Sequence, residues 1–112
     1  MKLSGNNILT NQHLLIAENQ NQIVGFCSLD NDCYVDLLYV HKDYQRQGIA
    51  YRLYADIEKE AQRKGQNQLT TDASITARPF FEKVGFKVTG EQTVVRQGIE
   101  LTNFKMRKKL TS

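Results

Sequence analysis

Apolar positions recur along this chain with two different periods. Residues 13–18, 23–29 and 33–40 are short, mostly apolar runs, separated by the turn-rich stretches Asn19-Gln20-Asn21-Gln22 and Asp30-Asn31-Asp32. They predict three strands, the first two joined as a hairpin. The run Ile23-Val24-Gly25-Phe26-Cys27-Ser28-Leu29 is apolar at almost every position, as expected of a strand buried on both faces. The period then changes. Ala50, Leu53, Tyr54, Ile57 and Ala61 recur at helical spacing, with Arg52, Glu58, Lys59 and Arg63 on other faces. This predicts a helix from Gly48 or Ile49 to Arg63, stopped by Gly65.

Residues 68–73 predict a fourth strand, parallel to the third because a helix crosses between them. Thr76 is placed to cap a second helix, with Pro79 in its first turn, where the missing N–H costs little. Ala77, Phe80, Phe81 and Val84 form the inner face of that helix, and Gly85 ends it. Residues 86–89 open a closing antiparallel pair, with Gly90 as punctuation, and 99–110 alternates as the last strand. Residues 1–12 are polar with scattered Leu3, Ile8 and Leu9, and read as an irregular lead-in. The expected class is α+β: a mixed, mostly antiparallel sheet with a β-α-β-α core.

At 112 residues the chain is expected to form a single domain. No apolar run approaches the ~18 residues of a membrane span, and the start lacks the apolar core of a signal peptide. A cytoplasmic protein without a membrane partner is therefore expected. Cys27 and Cys33 lie in predicted strands without Cys-x-x-Cys spacing, so they read as free thiols, not as a disulfide or a metal site. The net charge is +3, and Lys105, Arg107, Lys108 and Lys109 supply four positive charges by themselves. No nucleic-acid-binding motif accompanies them, so a polar end to the last strand is the preferred reading and no nucleic-acid partner is expected.

The candidate chemistry sits in residues 36–50. An apolar strand end (Leu37, Leu38, Tyr39, Val40) leads through a polar turn to Gln45-Arg46-Gln47-Gly48-Ile49-Ala50, which opens the helix. Such a loop aims several backbone N–H groups at one point, where the helix dipole and Arg46 add positive charge. This is a site for a phosphate or a diphosphate. Asp36 interrupts the apolar run. In a regular strand it shares a face with Tyr34, Leu38 and Val40. A structural pairing with a backbone N–H or a basic residue is the favoured role, and a general base, acting directly or through a water, is the functional one.

Gln45-Arg46-Gln47-Gly48-Ile49-Ala50 resembles the (Gln/Arg)-x-x-Gly-x-(Gly/Ala) loop of the GNAT (Gcn5-related N-acetyltransferase) superfamily. A second block, Ser74-Ile-Thr-Ala-Arg-Pro-Phe-Phe-Glu-Lys-Val-Gly-Phe86, is similar to the block after the next strand in that superfamily, in matching order. The resemblance covers about His13 to Leu110. It implies an acyl-CoA N-acyltransferase fold and acetyl-CoA as cosubstrate, without a metal. It places the pantetheine arm on Leu38, Tyr39 and Val40 and the diphosphate on the loop from Gln45 through Arg46, Gln47, Gly48, Ile49 and Ala50. Ser74 matches a position where relatives often carry an Asn that bonds the arm. Phe81 matches a helix Tyr that serves as general acid in many members; it has no proton to give, a core aromatic is its favoured role, and only the resemblance counts it among the cofactor-binding positions, with Tyr34, Tyr39, Tyr44 or water as alternative proton donors. Asp36 and Tyr39 are the residues to test for proton transfer. A lysine-like acceptor amine with pKa near 10.4 is neutral about 0.04% of the time at pH 7, a penalty of about 4–5 kcal/mol, so a base is expected.

The superfamily fold usually begins with a strand and two helices ahead of the hairpin, and residues 1–12 are too short to supply them. The chain therefore reads as an N-terminally shortened member, with its His13 strand as an exposed edge and one sheet face uncovered. A homodimer hiding that surface is expected. The expected function is acetyl transfer to a primary amine of a small molecule or protein. The alternative is a non-catalytic acyl-CoA-binding or protein-interaction module derived from such an enzyme.

Overall fold

The structure is a computed structural model that describes residues 1–9 and 11–110, the side chains of 6–9 excepted. Seven strands form one sheet: β1 (Lys2–Leu9), β2 (Gln12–Asn19), β3 (Gln22–Asp30), β4 (Tyr34–Val40), β5 (Gln68–Ser74), β6 (Lys87–Arg96) and β7 (Ile99–Lys109). Their spatial order is β1-β2-β3-β4-β5-β7-β6. Every neighbouring pair is antiparallel except β4 with β5. Helix α1 (Ile49–Arg63) makes the crossover between those two parallel strands, and α2 (Arg78–Lys83) follows β5.

The N-terminal segment departs from the expected irregular lead-in. Lys2–Leu9 is a strand, paired with β2 from Lys2↔Glu18 to Leu9↔Gln12. The His13 strand is therefore interior, and the sheet edges are β1 and β6. Thr10, in the same expected lead-in, lies outside the described residues. The polar character of Ser4, Asn6 and Asn7 hid this strand, because backbone pairing to β2 does not require an apolar side chain. Cys33 lies in the turn ahead of β4, and Gly90 sits inside β6 at a register shift.

The core lies between the sheet and α1. Ile49, Leu53, Tyr54, Ile57 and Ala61 form the buried stripe of α1. They pack with Leu15, Ala17, Val24, Cys27, Leu29 and Val35 from β2, β3 and β4. The stripe begins at Ile49, not Ala50, which leaves Ala50 at the helix end for other contacts. Gly25 is needed for this packing. A Cβ there would stand 2.8 Å from the Tyr39 carbonyl oxygen and 3.1 Å from Leu53 Cδ1.

An aromatic cluster ties α2 to α1 and to the start of β6. Phe81 and Phe86 stand edge to face at 5.1 Å, and Tyr54 meets Phe86 at 5.8 Å and Phe80 at 6.2 Å. Such pairs add about 0.5–1.5 kcal/mol each beyond burial. Helix α2 begins at Arg78 with Ala77 as its N-cap, so Thr76 does not cap it. Ser74 Oγ instead accepts the Ala77 N–H at 3.1 Å. The basic residues near the C-terminus divide between faces by strand alternation. Lys108 reaches Glu58 of α1 at 2.5 Å, while Lys105 reaches Asp72 on the opposite side of the sheet at 3.6 Å.

Candidate functional site

The site begins with an irregularity in β4. Pairing between β3 and β4 passes from Cys27↔Leu38 to Leu29↔Val35, so two residue steps on β3 match three on β4. Asp36 and Leu37 together oppose Ser28, a β-bulge. The Leu37 N–H donates to Ser28 Oγ at 3.1 Å, and Ser28 is fully buried. The bulge resets the alternation. Val35, Leu38 and Val40 all face α1, across from Leu29, Cys27 and Gly25. Asp36 therefore does not share a face with Leu38 and Val40, contrary to the regular-strand expectation.

The same region ends the pairing between the parallel strands. β4 and β5 are in register only at Tyr34↔Thr70 and Val35↔Thr71. Thr71 Oγ1 closes the ladder by donating to the Val35 carbonyl at 2.7 Å. Beyond that point the two strands part, and Leu38, Tyr39 and Val40 have only β3 as a strand neighbour. On their other edge the Val40 carbonyl accepts from Gln45 Nε2 at 3.4 Å, and no strand covers the rest, which leaves room for an extended ligand. Neither Ser28 nor Thr71 was singled out from sequence. A serine inside the apolar run of β3 was the available signal.

A cavity of about 860 Å³ opens beside this gap. Leu38 and Val40 form its floor, Gln45, Arg46, Gly48, Ile49 and Ala50 one wall, and Thr76 to Val84 of the α2 region the other. Arg46 and Gly48 both have left-handed backbone, at φ 64° and 76°. That turn folds the loop under the first turn of α1, whose N-cap Gly48 has no side chain to cap it. The first intrahelical bond runs from the Arg52 N–H to the Gly48 carbonyl at 3.0 Å, so the N–H groups of Ile49, Ala50 and Tyr51 have no partner within the helix. A Cβ on Gly48 would meet nothing within 4 Å. The glycine is thus required by its backbone angle, and the space above it is open.

Most of the expected binding residues converge here. Leu38, Val40, Gln45, Arg46, Gly48, Ile49 and Ala50 line the cavity, and Gln47 lies in the same loop without lining it. Three others do not converge. Tyr39 is 46% exposed on the opposite sheet face, stacked on Phe26 at 5.2 Å, so only its backbone is near the gap. Ser74 is occupied in the turn before α2. Phe81 is 3% exposed and locked in the aromatic cluster, so it does not face the cavity, and its role is packing. Tyr44, one of the alternative proton donors, lines the cavity, as does Lys83, which was not singled out from sequence.

Behind the gap, on the opposite face, Tyr34 Oη donates to Asp72 Oδ2 at 2.9 Å across β4 and β5. Burial, then the hydrogen bond and charge of Asp72, push the Tyr34 hydroxyl up to about 12. Asp36 lies on this side too. Partial burial, with the charge and hydrogen bond of Asp30 and the charge of Asp72, raises its carboxyl above the usual carboxylate range. Among the described residues no group of three or more His, Cys, Asp or Glu is placed to hold a metal ion, and no helix is long and apolar enough to cross a membrane.

Residues 3–109 match the family model of the acetyltransferase (GNAT) domain. The chain belongs to the GNAT family. It is similar to the uncharacterized N-acetyltransferase YafP of Escherichia coli K12, with 40% identity over 101 residues, covering 90% of this chain and 63% of YafP. Among solved structures, a GCN5-related N-acetyltransferase from Rhodopseudomonas palustris is 40% identical with a TM-score of 0.82, covering 88% of this chain and 62% of that one. A Bacillus anthracis protein assigned as a streptothricin acetyltransferase, solved with acetyl coenzyme A, is 26% identical with a TM-score of 0.80, over 93% of this chain and 65% of that one. The chain thus spans a little under two thirds of the length of these GNAT relatives.

Proposed function

We propose that this GNAT chain is an acetyl-CoA-dependent N-acetyltransferase that acetylates a primary amine of a small molecule or protein. One observation carries the reading: the free edge of β4 and the uncapped N-terminus of α1 open into the same cavity. The residues present fit acetyl-CoA. The edge of Leu38, Tyr39 and Val40 that β5 leaves uncovered suits a pantetheine arm, whose amides pair like a strand and take the place of the Gln45 side chain on the Val40 carbonyl. The N–H groups at the start of α1, with Arg46, suit a diphosphate. Among the described residues no acidic side chain lines the cavity to oppose it.

When bound, acetyl-CoA supplies an activated thioester. The chain supplies position, which is worth about 7–11 kcal/mol when two reactants are held in attack geometry. It also supplies a base. Asp36 is assigned the proton of the acceptor ammonium, directly or through water, and its raised carboxyl is better matched to that task than an ordinary aspartate. The Tyr39 hydroxyl, exposed on the same face, is the second candidate for proton transfer. The α2 position matching the family's acid is the buried Phe81, so the departing thiolate takes its proton from another donor, water or the cavity-lining Tyr44.

The test is thiol release from acetyl-CoA across a panel of primary amines, with Asp36→Asn beside the wild type. Amine-dependent release that falls in the variant supports the reading. The buried Phe81 favours one alternative, a non-catalytic acyl-CoA-binding module. Tight acetyl-CoA binding with no amine-dependent release by any acceptor would decide for it. A homodimer is part of the proposal, because Ile23, Leu37 and Tyr39 are exposed together on the sheet face away from α1. Light scattering that finds only monomer at micromolar concentration would remove it. A cytoplasmic location belongs to the same reading, with cell fractionation as its check.

A further inference from the structure

The cavity holds a cation that the diphosphate site does not use. Of its lining residues, among those described, two are charged, Arg46 and Lys83, and both are positive. They come from different walls. Arg46 belongs to the loop beneath the N-terminus of α1, while Lys83 is the last residue of α2. The nearby basic residues are engaged elsewhere. Arg78 pairs with Glu82 at 3.4 Å and stacks over Phe104, and Lys108 pairs with Glu58. Among the described residues neither Arg46 nor Lys83 forms an ion pair.

A ligand with a single anionic centre would be met by the loop: Arg46, the α1 dipole and three free N–H groups. Lys83 would then face the cavity with nothing to bind. A ligand carrying a second, separate phosphate accounts for both walls. Part of the position of Lys83 is explained by the helix itself, since a cation in the last turn complements the carbonyl end of α2. That role requires no particular ligand, so ligand chemistry separates the two.

We propose that Lys83 is a specificity residue that binds the phosphate of the donor lying apart from its diphosphate, which on acetyl-CoA is the 3′-phosphate of the ribose. The inference rests on the acetyl-CoA reading above. It assigns Lys83 a choice between donors with and without that phosphate, while Arg46 serves both.

The experiment is calorimetric titration of the wild type, Lys83→Gln and Arg46→Gln with acetyl-CoA and with acetyl-dephospho-CoA, which lacks only the 3′-phosphate. Circular dichroism melts confirm that each variant is folded. The wild type should prefer acetyl-CoA by about fivefold, the upper range for an exposed ion pair. The preference should vanish in Lys83→Gln and persist in Arg46→Gln, which weakens both ligands. It should also shrink as salt is raised. An unchanged preference in Lys83→Gln, or equal weakening of both ligands, overturns the assignment and leaves acetyl-CoA binding intact. Failure of the folded wild type to bind either ligand overturns the cofactor reading itself, and the Lys83 assignment with it.

Discussion

Gly48 is the residue at which backbone angle and ligand charge can be separated. Its φ of 76° lies in the left-handed region, and an added Cβ meets no atom within 4 Å. A non-glycine residue there costs about 1–2 kcal/mol in backbone strain. The loss of freedom in the unfolded chain returns about 0.4–1 kcal/mol. Gly48→Ala should therefore lower stability by about 1 kcal/mol, or roughly 4–8 °C in Tm. Gly65 has nearly the same angle, φ 81°, and the same open space, but it follows α1 at the end away from the cavity. Gly65→Ala should show the same thermal loss. Substitution by Glu adds a charge. A carboxylate about 6 Å from each of two phosphate charges is repelled by about 1.4–5.5 kcal/mol for effective dielectrics between 80 and 20. Gly48→Glu should thus weaken acetyl-CoA binding by at least about tenfold, while Gly65→Glu leaves it unchanged. The assay is a thermal melt and a calorimetric titration of all four variants. Equal affinities for Gly48→Glu and Gly65→Glu would refute the placement of an anion at this helix end. A rise in Tm for Gly48→Ala would refute the strain argument.

Three further outcomes are expected. Ser28→Ala removes the acceptor for the part-buried Leu37 N–H, so it should destabilise by about 0.5–1.5 kcal/mol, with a matching loss of hydrogen-exchange protection confined to the β4 bulge. Gly25→Ala forces a Cβ against the Tyr39 carbonyl and Leu53 and should lose about 1–3 kcal/mol in urea unfolding; a neutral result would mean that α1 can retreat from the sheet. Burial raises the Glu58 carboxyl, but hydrogen bonds from Lys108 and Tyr54 outweigh it and hold the group below its usual value. Its folded value is the lower one, so its contribution is full above the unfolded carboxylate range and is lost as pH falls through the folded value. Melts from pH 7 to pH 3 should therefore show the gap between wild type and Glu58→Gln closing on acidification, and a gap that widens would contradict the sign.

Much of the fold was legible because burial imposes periods. The α1 stripe of Leu53, Tyr54, Ile57 and Ala61 and the apolar runs of β2 to β5 were placed close to their observed bounds. The strand β1 was not, since an edge strand with one open side needs little apolar pattern. At the site, the loop from Gln45 to Ala50 was readable because glycine at a helix start is a local signal. The face of Asp36 was not, because strand alternation assumes regular pairing, and one extra residue opposite Ser28 inverts it. Phe81 was counted with the donor site only through its place in a motif; its place on the inner face of α2 was the better guide, and the aromatic cluster holds it in the core.

What the sequence determined by itself was therefore local: which segments are strands and helices, and a cationic, glycine-bearing loop at the start of α1. Those follow from near-neighbour sterics, from the spacing of apolar residues and from the helix dipole, all of which act within a few residues. The tertiary structure decided what depends on distant partners. Ser28 and Thr71, far apart in the chain, terminate regular pairing on either side of β4 and open the gap. The packing of α1 on β3 requires a bare backbone at Gly25. The docking of α2 by Tyr54 and Phe86 brings Lys83 across from Arg46. Each is a contact between segments whose approach is set by the whole sheet, and a one-residue change of register is enough to move it.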